Sequence, residues 1–268
     1  MKRNTEFTIE TTVRNWRKIN RIVNKITDEF RLRMGKNGAR ISVVDPAHVW
    51  LADVFITDEF FSRYDLNKQQ TIALSTDWIE HVTKKVKGNY KMELTYYSNK
   101  MCTYTIHYPW GNLVSKRFQL DTEGIAQPRV PSLIMDEDIN LDDEIFWEAI
   151  KKLDEGHYVR VQTNEDILSI SYSWENDEHE EDEEESDVFT ISLKNTKHKT
   201  NNSNAMFGTD YLQDMMKAMP KSVKLQKIRF STDNPMELHF KQINKNKKAE
   251  LAVMYMLAPR IESSQDDH

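Results

Sequence analysis

The chain has almost no cysteine: Cys102 is its single thiol in 268 residues. One cysteine excludes an internal disulfide framework and fits a reducing compartment. It lies in the alternating stretch MCTYTIHY, which reads as a strand position and not as a reactive thiol. No run of about 18 apolar residues is present and no signal-peptide apolar core, so neither a membrane span nor secretion is expected. Gly-rich phosphate loops, Cys/His metal spacings and a Ser-x-Gly elbow are also missing. Catalysis is therefore not expected, and neither is a cofactor or a metal. Asp45 and His48 in VVDPAH are the nearest approach to an acid–base pair, but Asp-Pro commonly opens a turn.

The charge that is present is segregated. The formal net charge is −6, with 38% hydrophobic and 30% charged residues, as in a globular protein with a modest core. Residues 1–40 carry eleven Lys or Arg against four acids, whereas ENDEHEEDEEESD, Glu175 to Asp187, carries ten acids and no base. That run reads as a solvated loop, and His179 alone among carboxylates is a poor metal ligand set.

Against this background VRNWRKINRIVNK, Val13 to Lys25, stands out, with five basic residues and no acid. On a helix Arg14, Arg17, Lys18, Arg21 and Lys25 fall within an arc of about 100°. Trp16, Ile19, Ile22, Val23 and Ile26 fall on the other side. Solvated faces usually mix signs, because like charges at i,i+4 repel; an unmixed one points to an anionic partner, nucleic acid first.

Four amphipathic helices begin near Thr12, Thr76, Asp142 and Thr209, a period of about 65 residues. Each has a Thr or Asp suited to N-capping, a short apolar stretch before it and three strand-like segments after it. In the second helix Trp78, Ile79, Val82 and Val86 share a face opposite His81, Lys84, Lys85 and Lys87. In the fourth, Leu212, Met215 and Met219 lie opposite Lys217 and Lys221. The third offers Lys151 and Lys152, with Glu148 and Trp147 on the same polar face. The stretch TEGIAQPRVPSLIM, Thr122 to Met135, lacks either period and reads as a connector between two similar halves.

Three stretches then carry a family resemblance. GARISVVDPAHVWLADVFITDEFFSRYDL, Gly38 to Leu66, resembles the first-domain strand pair of the PCNA-type sliding clamps (proliferating cell nuclear antigen), especially the archaeal kind. FGTDYLQDMMKAM, Phe207 to Met219, resembles their fourth helix. MLAPRIE, Met256 to Glu262, resembles their C-terminal signature, and the similarity keeps one register over nearly the whole chain.

The resemblance implies an α+β clamp fold: two domains, each a pair of β-α-β-β-β units, with helices inside and sheets outside a closed trimeric ring. The domains would be 1–121 and 136–262, joined by a connecting loop at 122–135, with a disordered tail at 263–268. It implies a non-enzymatic processivity factor that encircles duplex DNA, is loaded by an ATP-dependent clamp loader and does not engage membranes. Its place would be the nucleoid-associated cytoplasm if archaeal, otherwise wherever the host or viral genome is replicated.

Carried over by position, the DNA-facing set would be Arg14, Arg17, Lys18, Arg21, Lys25, His81, Lys84, Lys85, Lys151, Lys217 and Lys221. A groove for Gln-x-x-Leu-x-x-aromatic-aromatic peptides of polymerases, ligases and nucleases would use Val44, His48, Val49, Ile125, Val130, Leu133 and Pro235. It would also use the tail Met256, Leu257, Ala258, Pro259, Arg260 and Ile261, with the backbone beyond Pro259 free to pair. Subunits would meet through Asn112, Val114 and Lys116 of one strand and Phe189, Ile191 and Leu193 of another. Trp147 and Met256 depart from the family pattern. Lys194 to Asn204 is short and polar where the family has a further strand. The second reading is a scaffold subunit of a heteromeric checkpoint-like or viral clamp; a nuclease would need carboxylates gathered in a cleft, and here they form one contiguous run.

Overall fold

The structure is a computed structural model and describes residues 4–152, 158–173, 188–194, 198–199 and 201–260. The acidic run at 175–187, Ile261 and the segment 263–268 lie outside the described residues. The chain separates into two compact units. One takes the residues up to Val130 together with Ala218–Val223 and Lys241–Val253; the other takes Pro131–Lys217, Lys224–Phe240 and the chain from Met254 onward.

In the first unit β1 (Thr5–Thr12) runs directly into α1 (Val13–Asn24). Thr12 keeps an extended backbone while its hydroxyl accepts from the Asn15 amide at 3.2 Å, which stops the strand and caps the helix. The apolar stripe predicted for this helix is buried: Trp16, Ile19, Ile22 and Val23 within α1, and Ile26 just past its end. Next come β2 (Glu29–Gly35), β3 (Gly38–Val44), β4 (Trp50–Thr57), β5 (Arg63–Leu66), β6 (Gln70–Ser75) and α2 (Thr76–Thr83). The strands β7 (Lys91–Tyr97), β8 (Met101–Tyr108) and β9 (Gly111–Phe118) follow.

Strands β5-β1-β7-β8-β9 form one antiparallel sheet, and β4-β3-β2-β6 lie side by side in another, also antiparallel. The Trp16 indole donates to the Met92 carbonyl at 3.1 Å, and Trp16 and Trp78 both pack on the buried Tyr104 ring, centroids 5.4 and 4.5 Å away. Side chains of this size contribute roughly 1.5–3 kcal/mol each when buried. Gly38, at φ +135, has no room for a side chain: a Cβ there would lie 2.1 Å from the Ile56 carbonyl oxygen. That close approach lets β2 turn into β3 against β4. β5 leaves no core signal in the sequence, because RYDL alternates without burying a residue.

The second unit repeats the plan with β10 (Glu137–Asn140), α3 (Asp143–Lys152), β11 (Tyr158–Asn164), β12 (Ile167–Ser173) and β13 (Val188–Ser192). Then come β14 (His198–Lys199), β15 (Asn204–Gly208), α4 (Thr209–Ala218), β16 (Lys224–Phe230), β17 (Met236–Ile243) and β18 (Ala249–Leu257), of which the residues from Lys241 to Val253 count with the first unit. The order β13-β12-β11-β15 makes one sheet, and β14-β10-β16-β17-β18 are neighbours in the other. Phe146, Val159, Ile170, Phe207, Leu212, Ile228, Phe230 and Phe240 are fully buried.

Among the described residues, the polar segment after Lys194 supplies the two-residue β14, paired with Asp138 and Ile139. What holds that segment is the buried Glu137 carboxylate, which accepts from the Asn201 and Ser203 amides at 2.8 and 3.1 Å. Between β9 and β10 the chain has turns but no helix or strand.

Candidate nucleic-acid interface

Helix α1 presents the basic face that its sequence calls for. Arg14, Arg17, Lys18 and Arg21 line an open cleft of about 360 Å³ together with Gly88 and Pro220, and no carboxylate lines it. Arg14, Arg21 and Lys25 are exposed, and Arg17 and Lys18 are half-buried. Burial, and then the neighbouring Arg14, push the Lys18 amine below its ordinary pKa, although Glu250 opposes the shift. Its ammonium donates to Gln242 Oε1 at 2.8 Å. An anion in this cleft would relieve the crowding of like charges.

Arg17 is not a spare cation. Its guanidinium donates to the Thr83 carbonyl and, at 2.8 Å, to that of Val86. This corrects the expected second helix as well. α2 ends at Thr83, Lys84 is already extended at ψ 131, and Lys85 has φ +59. The Thr83 hydroxyl turns back to the Ile79 carbonyl at 2.8 Å, and Arg17 takes the Thr83 carbonyl that a further turn would have used. Lys84, Lys85 and Lys87 therefore sit exposed on a loop, not on a helical face, while His81 is exposed in the last turn.

In the second unit Lys151 is exposed at the end of α3, and Lys217 is exposed near Asp214 at 3.8 Å. Lys221 lies beyond α4, in the turn closed by the Val223 amide on the Pro220 carbonyl, and belongs with the first unit. Trp147 was expected on the polar face of α3 and is instead buried. Its ring stacks on Phe240, centroids 6.0 Å apart and 9° from parallel, and its indole donates to Asp143 Oδ1 at 3.0 Å. The same carboxylate accepts from the Leu225 amide and from Lys224 Nζ, both at 2.8 Å. An N–H that finds its acceptor one turn back can enter a core, which the helical projection alone cannot show.

The residues proposed for peptide binding fall in both units. In the first, Val44, Val49 and Val130 are half-buried, Ile125 is buried and His48 is exposed at φ +59. Asp45 is the hub of that turn: Oδ1 accepts from the Val49 and Trp50 amides at 2.8 and 2.6 Å, so the turn reading of VVDPAH holds.

In the second, Leu133, Pro235, Ala258, Pro259 and Arg260 are half-buried, and Met256 is buried. Leu257 is wholly buried, so its side chain serves the core and has no surface to offer a ligand. Arg260 was expected to have a free backbone. Its amide instead donates to the Met206 carbonyl at 2.8 Å, next to the edge strand β15, and its guanidinium lies 3.8 Å from the centre of the Tyr158 ring. A cleft of about 250 Å³ opens there, lined by Arg160, Asn204, Met206, Thr232, Asp233 and Arg260 among others.

The expected interface strands are both sheet edges. β9 pairs only with β8 and β13 only with β12 among the described residues. On β9 Asn112 and Lys116 are exposed and Val114 is 47% exposed; on β13 Phe189 and Ile191 are half-buried. Leu193 departs from the expectation: it follows β13 and is fully buried, its amide held by the Asp166 carbonyl at 2.7 Å.

Two chemical possibilities are disposed of by their surroundings. Cys102 is fully buried on β8, and burial pushes its thiol up to about 12. Glu10, Glu93 and His107 bring donor atoms within 4.8 Å of one another. Both carboxylates are already engaged, however, Glu10 by Lys91 and Ser62 at 2.7 Å and Glu93 by Arg63 at 3.3 Å.

No protein-family model matches the chain. It is 24% identical over 257 residues to the DNA polymerase sliding clamp of Thermoplasma volcanium, covering 94% of this chain and 97% of the relative. To that of Archaeoglobus fulgidus it is 26% identical over 252 residues, 91% of this chain and 94% of the relative. Among solved structures, A. fulgidus PCNA bound to the C-terminal region of FEN-1 superposes with a TM-score of 0.82 at 23% identity, covering 96% of this chain and all of that one. The PCNA2–PCNA3 complex of Sulfolobus tokodaii gives 0.76 at 17% identity, with 95% and 100% covered.

Proposed function

We propose that this chain, a homologue of the PCNA-type DNA polymerase sliding clamps and not an enzyme, closes into a ring of three subunits around duplex DNA. The observation that carries the DNA reading is the α1 cleft, four cations with no carboxylate in its lining. Cations aimed at phosphates bind without regard to sequence and weaken with salt, as a sliding protein requires. Arg14, Lys18, Arg21 and Lys25 supply this surface in the first unit, helped by the exposed His81, Lys84, Lys85 and Lys221. Lys151 and Lys217 supply it in the second. Arg17 supports the surface by holding the loop that carries Lys84 and Lys85.

Ring closure is assigned to pairing of β9 with β13 of a neighbouring subunit. Both edges are unpaired among the described residues and carry exposed apolar side chains, which soluble proteins seldom leave bare. Within the ring the domains would be 1–121 and 136–262 with 122–135 between them. Clients such as polymerase, ligase and nuclease would dock short peptides, raising their effective concentration at the template. The FEN-1 segment seen on A. fulgidus PCNA supports that assignment. A closed ring would need an ATP-dependent loader to open it. No helix among the described residues is long and apolar enough to cross a membrane.

A heteromeric ring is the second reading, favoured by the PCNA2–PCNA3 neighbour. Light-scattering mass decides between the two: a ring of identical subunits has three times 31.7 kDa without any partner chain. A monomer at high micromolar concentration would overturn the homotrimer. Arg14→Glu with Arg21→Glu and Lys84→Glu is expected to abolish stimulation of a polymerase while the fold survives; unchanged processivity would overturn the DNA-facing assignment.

A further inference from the structure

Three aromatic rings gather at the turn between β8 and β9. Trp110 is 78% exposed, the most exposed large aromatic of the described residues. Its ring lies nearly parallel to Tyr108, 18° apart with centroids at 5.3 Å. Tyr90 closes the group edge-on, 5.0 Å from Tyr108 and 6.3 Å from Trp110. Nothing in the core requires Trp110 to be there, and an indole in water forgoes the burial that usually places it.

The rings are joined to the basic cleft. The Tyr90 carbonyl accepts from the Val13 amide at 2.8 Å, and the Gly88 carbonyl from that of Arg14 at 2.9 Å. Gly88 also lines the cleft beside Arg14, close enough that a Cβ would lie 3.2 Å from the Arg14 Cβ. The loop leading to Tyr90 carries the exposed Lys84, Lys85 and Lys87. Flat rings that continue a phosphate-binding surface are what an unpaired strand needs, its bases stacking while its backbone follows the cations. A duplex keeps its bases stacked inside and gains nothing from such rings.

We infer that Trp110, Tyr108 and Tyr90 form a stacking platform for the bases of single-stranded nucleic acid, continuous with the basic cleft of α1. The occupant is chosen by charge complementarity: Arg14 and three lysines stand at its approach. The platform extends the DNA-facing reading of α1, on which it rests, to the point where a duplex gives way to an unpaired strand.

Fluorescence anisotropy at low salt tests it on the full chain, with labelled oligothymidylate of about 20 nucleotides and a blunt duplex of similar length as probes. Trp110→Ala is expected to weaken oligothymidylate binding roughly tenfold, within the range for losing one stacked base. The salt dependence should stay the same, because no phosphate contact is lost. Trp110→Phe should retain most of the affinity. Duplex binding and solution mass should be the same in both variants as in wild type.

Equal oligothymidylate affinity for wild type and Trp110→Ala, or none for wild type, overturns the platform. A lower solution mass in Trp110→Ala also overturns it and makes the turn a subunit contact. The duplex probe tests the underlying reading separately. Should Arg14→Glu with Arg21→Glu leave duplex affinity unchanged, the DNA-facing assignment of α1 fails whatever Trp110 does.

Discussion

Arg17 on α1 donates through its guanidinium to the carbonyl of Val86, 2.8 Å away, in the loop that follows α2. A charged donor thus satisfies backbone acceptors where a helix ends, and removing it takes the guanidinium from the Val86 carbonyl and leaves the Thr83 carbonyl with the Val86 amide at 3.1 Å. Arg17→Ala is expected to lower stability to urea by about 1.5–3 kcal/mol, as for hydrogen bonds to charged groups. Arg14→Ala, on the same helix but exposed, should stay within about 0.5 kcal/mol of wild type. Equal effects would mean that Arg17 does not hold the loop. DNA-binding tests on α1 are therefore best made with Arg14 and Arg21.

Trp147 stacks on Phe240 and bonds Asp143, so its truncation opens a cavity and removes one of the three donors to that carboxylate. Trp147→Ala is expected to cost about 3–5 kcal/mol in chemical unfolding. Its fluorescence should not respond to duplex DNA, which a Trp147→Phe difference spectrum would check.

Glu237 is a buried carboxylate, and burial by itself would raise its pKa; the bond from His239 at 2.8 Å and the Arg229 guanidinium at 2.7 Å outweigh that and lower it. A carboxylate whose folded pKa is lowered binds fewer protons than in the unfolded chain. Its stabilisation is complete above the unfolded pKa of about 4.3 and is lost as pH falls through the folded value. Thermal melts of Glu237→Gln should thus differ most from wild type at neutral pH, and the difference should shrink as pH falls below about 4.3 and through the lowered folded value. A constant difference at all pH values would exclude this role.

The proposed pairing of β9 with a neighbour would run through backbone amides. Val114→Pro or Ile191→Pro should release monomers if the amide removed joins that ladder. Sedimentation at several concentrations reads the outcome, and a ring that survives both substitutions would count against these edges.

Ala258 is half-buried beside Pro259, where an added carboxylate would lack a partner. Ala258→Asp should weaken binding of a Gln-x-x-Leu-x-x-Phe-Phe peptide by about 1–3 kcal/mol in calorimetry, with the solution mass unchanged. Equal affinity in wild type and variant would place the peptide elsewhere.

The helices were legible because their signals are local. Thr12 followed by an unmixed basic face and a stripe of Trp16, Ile19 and Ile22 marks α1 from its own residues. The end of α2 was not legible, since it depends on Arg17, 66 residues away from Thr83 in the chain. Trp147 misled for a similar reason: beside Glu148 it shares a polar arc, and only Asp143 and Phe240 make its burial possible. Of the candidate site, the cations of α1 could be read from spacing. The aromatic group at Trp110 could not, because its rings come from β8, the turn beyond it and the loop before β7. PW in the hairpin was the one available hint.

The isolation of Cys102 has a practical side. Its sulfur is fully buried and its thiol is pushed up to about 12, so at neutral pH almost none of it is thiolate. A maleimide dye added to the folded protein should therefore find no native target. A cysteine placed at Lys116, or at Lys87 beside the aromatic group, would be the sole labelling position. Distance-dependent fluorescence between the subunits of the proposed ring, or between protein and a labelled strand, could then be recorded without first removing Cys102.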